Sequence, residues 1–160
     1  MKFCPQCASQ VSEREIDGKA RLACPQCNFV AWGNPTPVVA VLVQLENDYV
    51  LARNKAWPPG LFSMITGFVE GGETPEQTLA REVEEELALE VTDWIFVGHF
   101  SVPGINQLLI AFVATCRGTP QCGTELAELM RISATDLQHF DFGPLALTRQ
   151  IADAALSKRL

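Results

Sequence analysis

Glu82, Glu85 and Glu86 fall at i, i+3 and i+4, so a helix through them puts three carboxylates on one face. Acids that close repel one another and shift their pKa upward. Divalent cations relieve that cost, and Mg²⁺ prefers oxygen ligands. The triad sits in the most acidic stretch of the chain: between Gly67 and Glu90, eight glutamates stand against one base, Arg81, which accounts for the whole formal charge of −7. A solvated helix face also produces acidic runs, and helical phase separates the two readings. With Leu79 at zero and about 100° per residue, Val83, Leu87 and Ala80 form an apolar arc, Glu86 and Glu82 flank it at roughly −20° and −60°, and Glu84 lies across at about 140°. Glu82 and Glu86 therefore sit where the helix meets the fold, and Glu84 faces solvent. Arg81, one turn before Glu85, can orient carboxylates by charged hydrogen bonds.

The second constellation is four cysteines in two knuckles, Cys4-Pro5-Gln6-Cys7 and Cys24-Pro25-Gln26-Cys27. Two C-x-x-C turns at this separation close a tetrahedral thiolate shell, the usual structural Zn²⁺ site. Redox motifs rarely come as a spaced pair. Residues 1–33 hold few large apolar groups, so metal binding is expected to supply their folding energy. Cys116 and Cys122 have no neighbouring base and are read as inert. His99 and His139 lack ligand spacing and are read as structural or surface residues.

These residues need elements to position them. Gly33-Asn34-Pro35-Thr36-Pro37 reads as a stiff connector between a zinc ribbon, 1–33, and a second domain, 38–160. Val38 to Leu45 is a buried strand, Tyr49 to Arg53 a second, and Leu61 to Ile65 a short third. Thr74, Pro75 and Gln77 open a helix with an N-cap, a first-position proline and a capping box, and it runs to about Ala88. Trp94 to Phe100, Leu108 to Thr115 and Glu128 to Ile132 read as strands, with a closing helix through Leu145, Leu147, Ile151, Ala155 and Leu156. The pattern is an α/β domain, a mixed sheet sandwiched by helices. No window is apolar enough for a membrane span, and Met1-Lys2-Phe3-Cys4-Pro5 lacks the apolar stretch of a secretory signal. A cytoplasmic protein is expected.

From Gly67 to Leu89 the chain resembles the Nudix signature G-x5-E-x7-R-E-U-x-E-E-x-G-U, U being a bulky aliphatic, at every fixed position except the last glycine, which is Ala88. The resemblance implies the Nudix fold and metal-dependent hydrolysis of a diphosphate bond, with two or three Mg²⁺ or Mn²⁺. It implies Glu82, Glu85 and Glu86 as ligands, with the Thr66 carbonyl joining their shell. Glu73 is expected to fix the loop and Ala88 to prolong or strain the helix end. Among relatives that carry a ribbon, the NADH pyrophosphatase motif Ser-Gln-Pro-Trp-Pro-Phe-Pro is absent, its place taken by Gly98 to Ile105. Ile105-Asn106-Gln107 and Phe140 to Ala146 are more similar to stretches of FAD and ADP-ribose pyrophosphatases. The substrate implied is an FAD- or ADP-ribose-like dinucleotide cleaved to AMP, with NADH or nucleoside triphosphates as alternatives.

Box glutamates approach from one side only, so a carboxylate is expected opposite. The resemblance points to Glu125, with Glu128 in reserve, and the Gly118 to Thr124 loop has freedom to close over substrate. The catalytic set is thus Arg81, Glu82, Glu85 and Glu125, with Glu125 also a metal ligand. Arg53 is placed to bind phosphate, and Trp57 either stacks on a base or packs on its own loop. The reading of another class, a nucleic-acid-binding ribbon protein, rests on Lys2, Arg14, Lys19 and Arg21. Glu13, Glu15 and Asp17 offset them and no aromatic ladder accompanies them. Nucleic acid is therefore not an expected partner, and the ribbon is expected to brace the catalytic domain or a homodimer.

Overall fold

The computed structural model describes Met1–Lys158. The chain forms two compact units, Met1–Pro35 and the remainder from Thr36. In the first, β1 (Ser12–Ile16), β2 (Lys19–Ala23) and β3 (Val30–Ala31) make a small antiparallel sheet. The β1–β2 turn is Asp17-Gly18, both at positive φ (53° and 71°), the conformation that lets a two-residue turn follow strand twist. The apolar core of this unit amounts to Cys4, Val11 and Cys24, with Leu22, Cys27 and Phe29 against it. So small a core leaves stability to the cysteine cluster.

The second unit is built on β4 (Thr36–Leu45), β5 (Asp48–Asn54), β6 (Ile65–Phe68), β7 (Glu90–Val102), β8 (Gln107–Arg117) and β9 (Leu126–Ser133). Strand order is β7-β8-β4-β5-β9, with β6 also on β4. Only β4–β8 is parallel, running from Thr36↔Gln107 to Leu45↔Cys116, so the sheet is mixed. Both faces of β4 are covered, which explains its unbroken apolar sequence. Val39, Val41 and Val43 meet Leu79, Val83 and Leu87 of α1 (Pro75–Leu87). Ala40 and Leu42 meet Leu137 of α2 (Ala134–His139) and Ile151, Ala152 and Ala155 of α3 (Ala146–Ser157). Leu79, Val83 and Leu87 are each wholly buried, worth roughly 1.5–3 kcal/mol apiece. No helix among the described residues is long and apolar enough to cross a membrane.

The expected strand 61–65 is displaced. Pairing begins at Ile65 (opposite Val41) and continues to Phe68 (opposite Val38), while Ser63 makes only an isolated bridge to Ala52. The register of β4 sets this, carrying Gly67 within the strand rather than in the loop after it. Helix α2 was not anticipated. It is six residues long and starts from Ser133, whose hydroxyl accepts from the Asp136 amide at 3.1 Å. Arg149 of α3 donates to the Leu137 and Gln138 carbonyls at its far end.

Helix α1 begins as the capping box requires: Thr74 accepts from the Gln77 amide at 3.3 Å, and Gln77 accepts from the Thr74 amide at 2.8 Å. It ends at Leu87 because Ala88 turns left-handed, φ 54° and ψ 33°, where the family signature has glycine. An L-residue there costs roughly 1–2 kcal/mol, and glycine's extra unfolded entropy offsets only about 0.5–1 of it. Ala88→Gly is therefore expected to stabilise the protein by about 0.5–1 kcal/mol, raising Tm by roughly 1–4 °C. Thermal unfolding monitored by circular dichroism checks this, and an unchanged or lowered Tm would contradict the strain at Ala88.

Candidate active site

The box residues assemble around Arg81, which is three-quarters buried in its side chain. Its Nε and Nη2 donate to the two oxygens of Glu73 at 2.8 and 3.0 Å. Nη1 donates to Glu82 at 2.7 Å and Glu85 at 3.2 Å, and Nη2 also reaches the Phe68 carbonyl at 3.1 Å. One guanidinium thus ties the segment before α1, the end of β6 and the acidic face of α1 together. Arg81, helped by the Thr78 hydroxyl, holds the Glu73 carboxyl down to about 2. Glu73 has no place on the cavity wall, so its work is to fix the loop.

Next to this cluster lies a cavity of about 500 Å³, within the usual range for a small-ligand site. Glu82, Glu85, Glu86 and Glu125 all line it, together with Thr66 and Gly67 of β6. Among the described residues no lysine or arginine lines it. Burial raises the Glu82 carboxyl above its ordinary value despite the Arg81 hydrogen bond. Glu86 has no such partner. Burial first, then Glu82, Glu125 and Glu85, push it up to about 7. Glu84, on the same helix, is exposed and lines no part of this cavity.

Glycine is required at two contacts. A Cβ on Gly67 would lie 2.0 Å from the Glu82 carboxyl carbon, so its absence lets that carboxylate seat against the β6 backbone. A Cβ on Gly123 would lie 2.6 Å from the Glu85 carbonyl and 2.9 Å from Glu86 Cα. The loop leading to Glu125 therefore rests directly on the end of α1, with Gln121 N–H donating to the Leu87 carbonyl at 2.9 Å and Gly123 N–H to that of Glu86 at 2.8 Å. Across the loop, the Lys55 amide donates to the Glu125 carbonyl at 2.9 Å and its ammonium to that of Thr124 at 2.5 Å. The expected free loop is a pinned one.

Arg53 does not line the cavity. It pairs with Glu128 at 2.9 Å and donates to the Trp57 carbonyl at 3.0 Å. Strand alternation explains this: Ala52 packs on the α1 side of the sheet, Leu51 and Met130 on the other, and Arg53 opposite Glu128 follows the second set. Trp57 does line the cavity, as do Asn54, Phe68 and Gln107, three residues the sequence reading did not assign. Gln107 comes after Asn106, which is left-handed at φ 51°, a conformation asparagine tolerates. Cys116 is buried, with its thiol pushed up to about 11 by that burial, and His99 contacts the Phe96 ring at 4.9 Å.

A "NUDIX domain" family model matches residues 34–150. The chain belongs to the Nudix hydrolase family. A zinc-ribbon model described as "Nudix N-terminal" matches residues 2–32. The NAD-capped RNA hydrolase NudC of Pseudomonas aeruginosa is 34% identical over 113 residues, covering 71% of this chain and 40% of that protein. The NudC of Vibrio vulnificus is 30% identical over 163 residues, covering 100% of this chain and 59% of that one. The chain thus spans about half the length of these curated relatives. A NUDIX hydrolase from Nitrosomonas europaea superposes with a TM-score of 0.79 at 28% identity, over 96% of this chain and 88% of that one.

The cavity suits the divalent metals this family uses, because it gathers four acids and, among the described residues, no base. In the ribbon, the Sγ atoms of Cys4, Cys7, Cys24 and Cys27 lie within 4.8 Å of one another. The Cys4–Cys27, Cys7–Cys24 and Cys7–Cys27 separations are 3.6, 3.4 and 3.8 Å, close to the edge of about 3.8 Å for a tetrahedron with Zn–S near 2.3 Å. Both knuckles repeat one detail, an amide donating to the first sulfur at 3.4 Å, from Gln6 to Cys4 and from Gln26 to Cys24.

The raised carboxyl of Glu86 generates a prediction with a definite sign. A group whose folded pKa exceeds its unfolded value contributes stability that is full below the unfolded value, near 4.5, and lost as pH rises through the folded value, near 7. In chelator, Glu86→Gln should therefore raise Tm at pH 8 and do little at pH 4.5. With divalent metal at pH 8, Glu82→Gln and Glu86→Gln should each lower kcat by ~10² or more, and Glu84→Gln should leave it unchanged. Equal losses at Glu84 and Glu86 would contradict the two-faced helix.

Proposed function

We propose that the chain hydrolyses the diphosphate bridge of a nucleotide derivative of FAD or ADP-ribose type, releasing AMP. The observation that carries this reading is the gathering of Glu82, Glu85, Glu86 and Glu125 around one cavity that no base lines among the described residues. These carboxylates and the Thr66 carbonyl would hold Mg²⁺ or Mn²⁺, which would supply Lewis-acid charge neutralisation and help activate a water. Arg81 holds Glu82 and Glu85 in place for that work. Glu125, presented by the pinned loop, is the base or ligand on the far side of the substrate. Trp57 offers an aromatic surface for a base, and Gln107 and Asn54 offer hydrogen bonds.

Glu128 is less suited to the role, because it lies on the other face of the sheet in a pair with Arg53. That pair lowers its pKa and leaves Arg53 a structural partner rather than a phosphate ligand. In the ribbon, the four cysteines are assigned to one Zn²⁺, which supplies the stability its small core lacks. The named relatives are NAD-capped RNA hydrolases, which supports a dinucleotide over a triphosphate. The Gly98 to Ile105 stretch, without the motif of NADH pyrophosphatases, supports FAD or ADP-ribose over NADH.

A screen of FAD, NADH, ADP-ribose and nucleoside triphosphates with Mg²⁺ and Mn²⁺, products resolved by chromatography, tests the substrate class. FAD or ADP-ribose is expected to show the highest kcat/KM and to yield AMP. A nucleoside triphosphate winning by that measure would replace this reading with a sanitising one. In the same assay Glu125→Gln should lower kcat more than Glu128→Gln. The reverse order would move the role to Glu128.

A further inference from the structure

The ribbon sheet sorts its charges by strand alternation. Residues directly opposite one another share a face. The register Arg14↔Arg21 and Ile16↔Lys19 puts three bases on one face, while Glu13 (opposite Leu22) and Glu15 (opposite Ala20) take the other. The near-neutral composition of this segment therefore conceals a basic surface. Trp32 lies on the same side, because the Arg21 guanidinium sits 4.9 Å over its ring and donates to its carbonyl. With one ring face so covered, the indole is still 49% exposed. Like charges directly opposite in a sheet are unfavourable. Among the described residues no ion pair involves Arg14, Lys19 or Arg21. Mobile counter-ions screen this face, and an anionic partner gains by displacing them.

We propose that this face binds single-stranded nucleic acid, its phosphates on Arg14, Lys19 and Arg21 and a base on Trp32. A polyanion offers several phosphates to these bases at once, where a free nucleotide offers one group. An exposed aromatic beside the bases adds the stacking surface on which unpaired bases settle. A duplex, with its bases already stacked inward, has no use for the indole. Net charge alone argues against such a partner, because it overlooks the alternation that separates Glu13 and Glu15 from the bases. The inference goes beyond cleavage of a diphosphate and does not depend on it.

Fluorescence anisotropy of the full chain with a labelled oligouridylate, an oligothymidylate and a duplex of equal length tests this. The single strands are expected to bind at low salt and the duplex more weakly, with a log–log salt slope of about −2 for three phosphate contacts. Arg14→Ser with Lys19→Ser should weaken binding at least tenfold and flatten the slope. Among the described residues neither side chain makes a hydrogen bond or ion pair, so zinc content and Tm should hold. Trp32→Ala should weaken binding without changing the slope. Glu13→Ser with Glu15→Ser, on the opposite face, should not weaken it. Absence of single-strand binding at low salt would overturn the proposal. So would equal affinity in the Arg14/Lys19 variant, or sedimentation showing that those substitutions instead dissociate a dimer.

Discussion

The catalytic unit depends on a single cation placed outside the cavity it serves. Arg81 uses its planar fork to hold both oxygens of Glu73, one oxygen each of Glu82 and Glu85, and the Phe68 carbonyl. A lysine, with one compact charge, has no comparable reach in fixed directions. The consequence is a division of labour among acids of one sequence run. Glu73 is neutralised and becomes structure. Glu82 is half-satisfied, its carboxyl raised by burial and restrained by Arg81. Glu86 receives no help and is left near 7, the least satisfied anion of the group and so the one with most to gain from a cation.

That imbalance makes the rigidity around the site intelligible. Clustered carboxylates drift apart unless the backbone prevents it, and here backbone contacts do so on two sides. Gly67 brings β6 against Glu82, and Gly123 brings the approach to Glu125 onto the last turn of α1. The Gln121 and Gly123 amides also satisfy two helix-end carbonyls that would otherwise lack partners. The C-terminal end of α1 carries partial negative charge and its last turn has no basic residue. Hydrogen-bond donors there stabilise the helix end at the point where its carboxylates must be held.

The sequence announced the parts of this arrangement that depend on local spacing. Glu82, Glu85 and Glu86 share a face because helical phase is fixed by the backbone, and the capping box at Thr74 arises from chemistry within four residues. The two cysteine knuckles are legible for the same reason. The illegible parts were set by pairing between distant segments. The start of β6 depends on Ile65 meeting Val41. Arg53 faces away from the cavity because of the β5–β9 register, and Gly123 is obligatory only because a loop from beyond β8 lands on α1. Gly118 and Gly123 read locally as freedom to move, yet at Gly123 the small residue permits close contact instead.

Left-handed backbone shows the same limit in reverse. Ala88 stands where the family signature carries glycine, and both Ala88 and Asn106 adopt the positive φ that glycine takes readily. A substitution away from glycine is ambiguous in sequence, since either the turn has changed or the strain has been accepted. Here the surroundings decide. At Ala88 the helix stops on schedule because Leu87 and Leu89 are both buried in the α1 core, and an extra helical residue would rotate Leu89 out of it. The apolar area of a leucine outweighs the cost of one left-handed alanine. At Asn106 the same turn delivers Gln107 to the start of β8, opposite Thr36 and on the cavity wall. At Ala88 the conformation is thus imposed by the next residue in the chain, and the burial of Leu89, rather than the identity of the turn residue itself, decides that the turn survives.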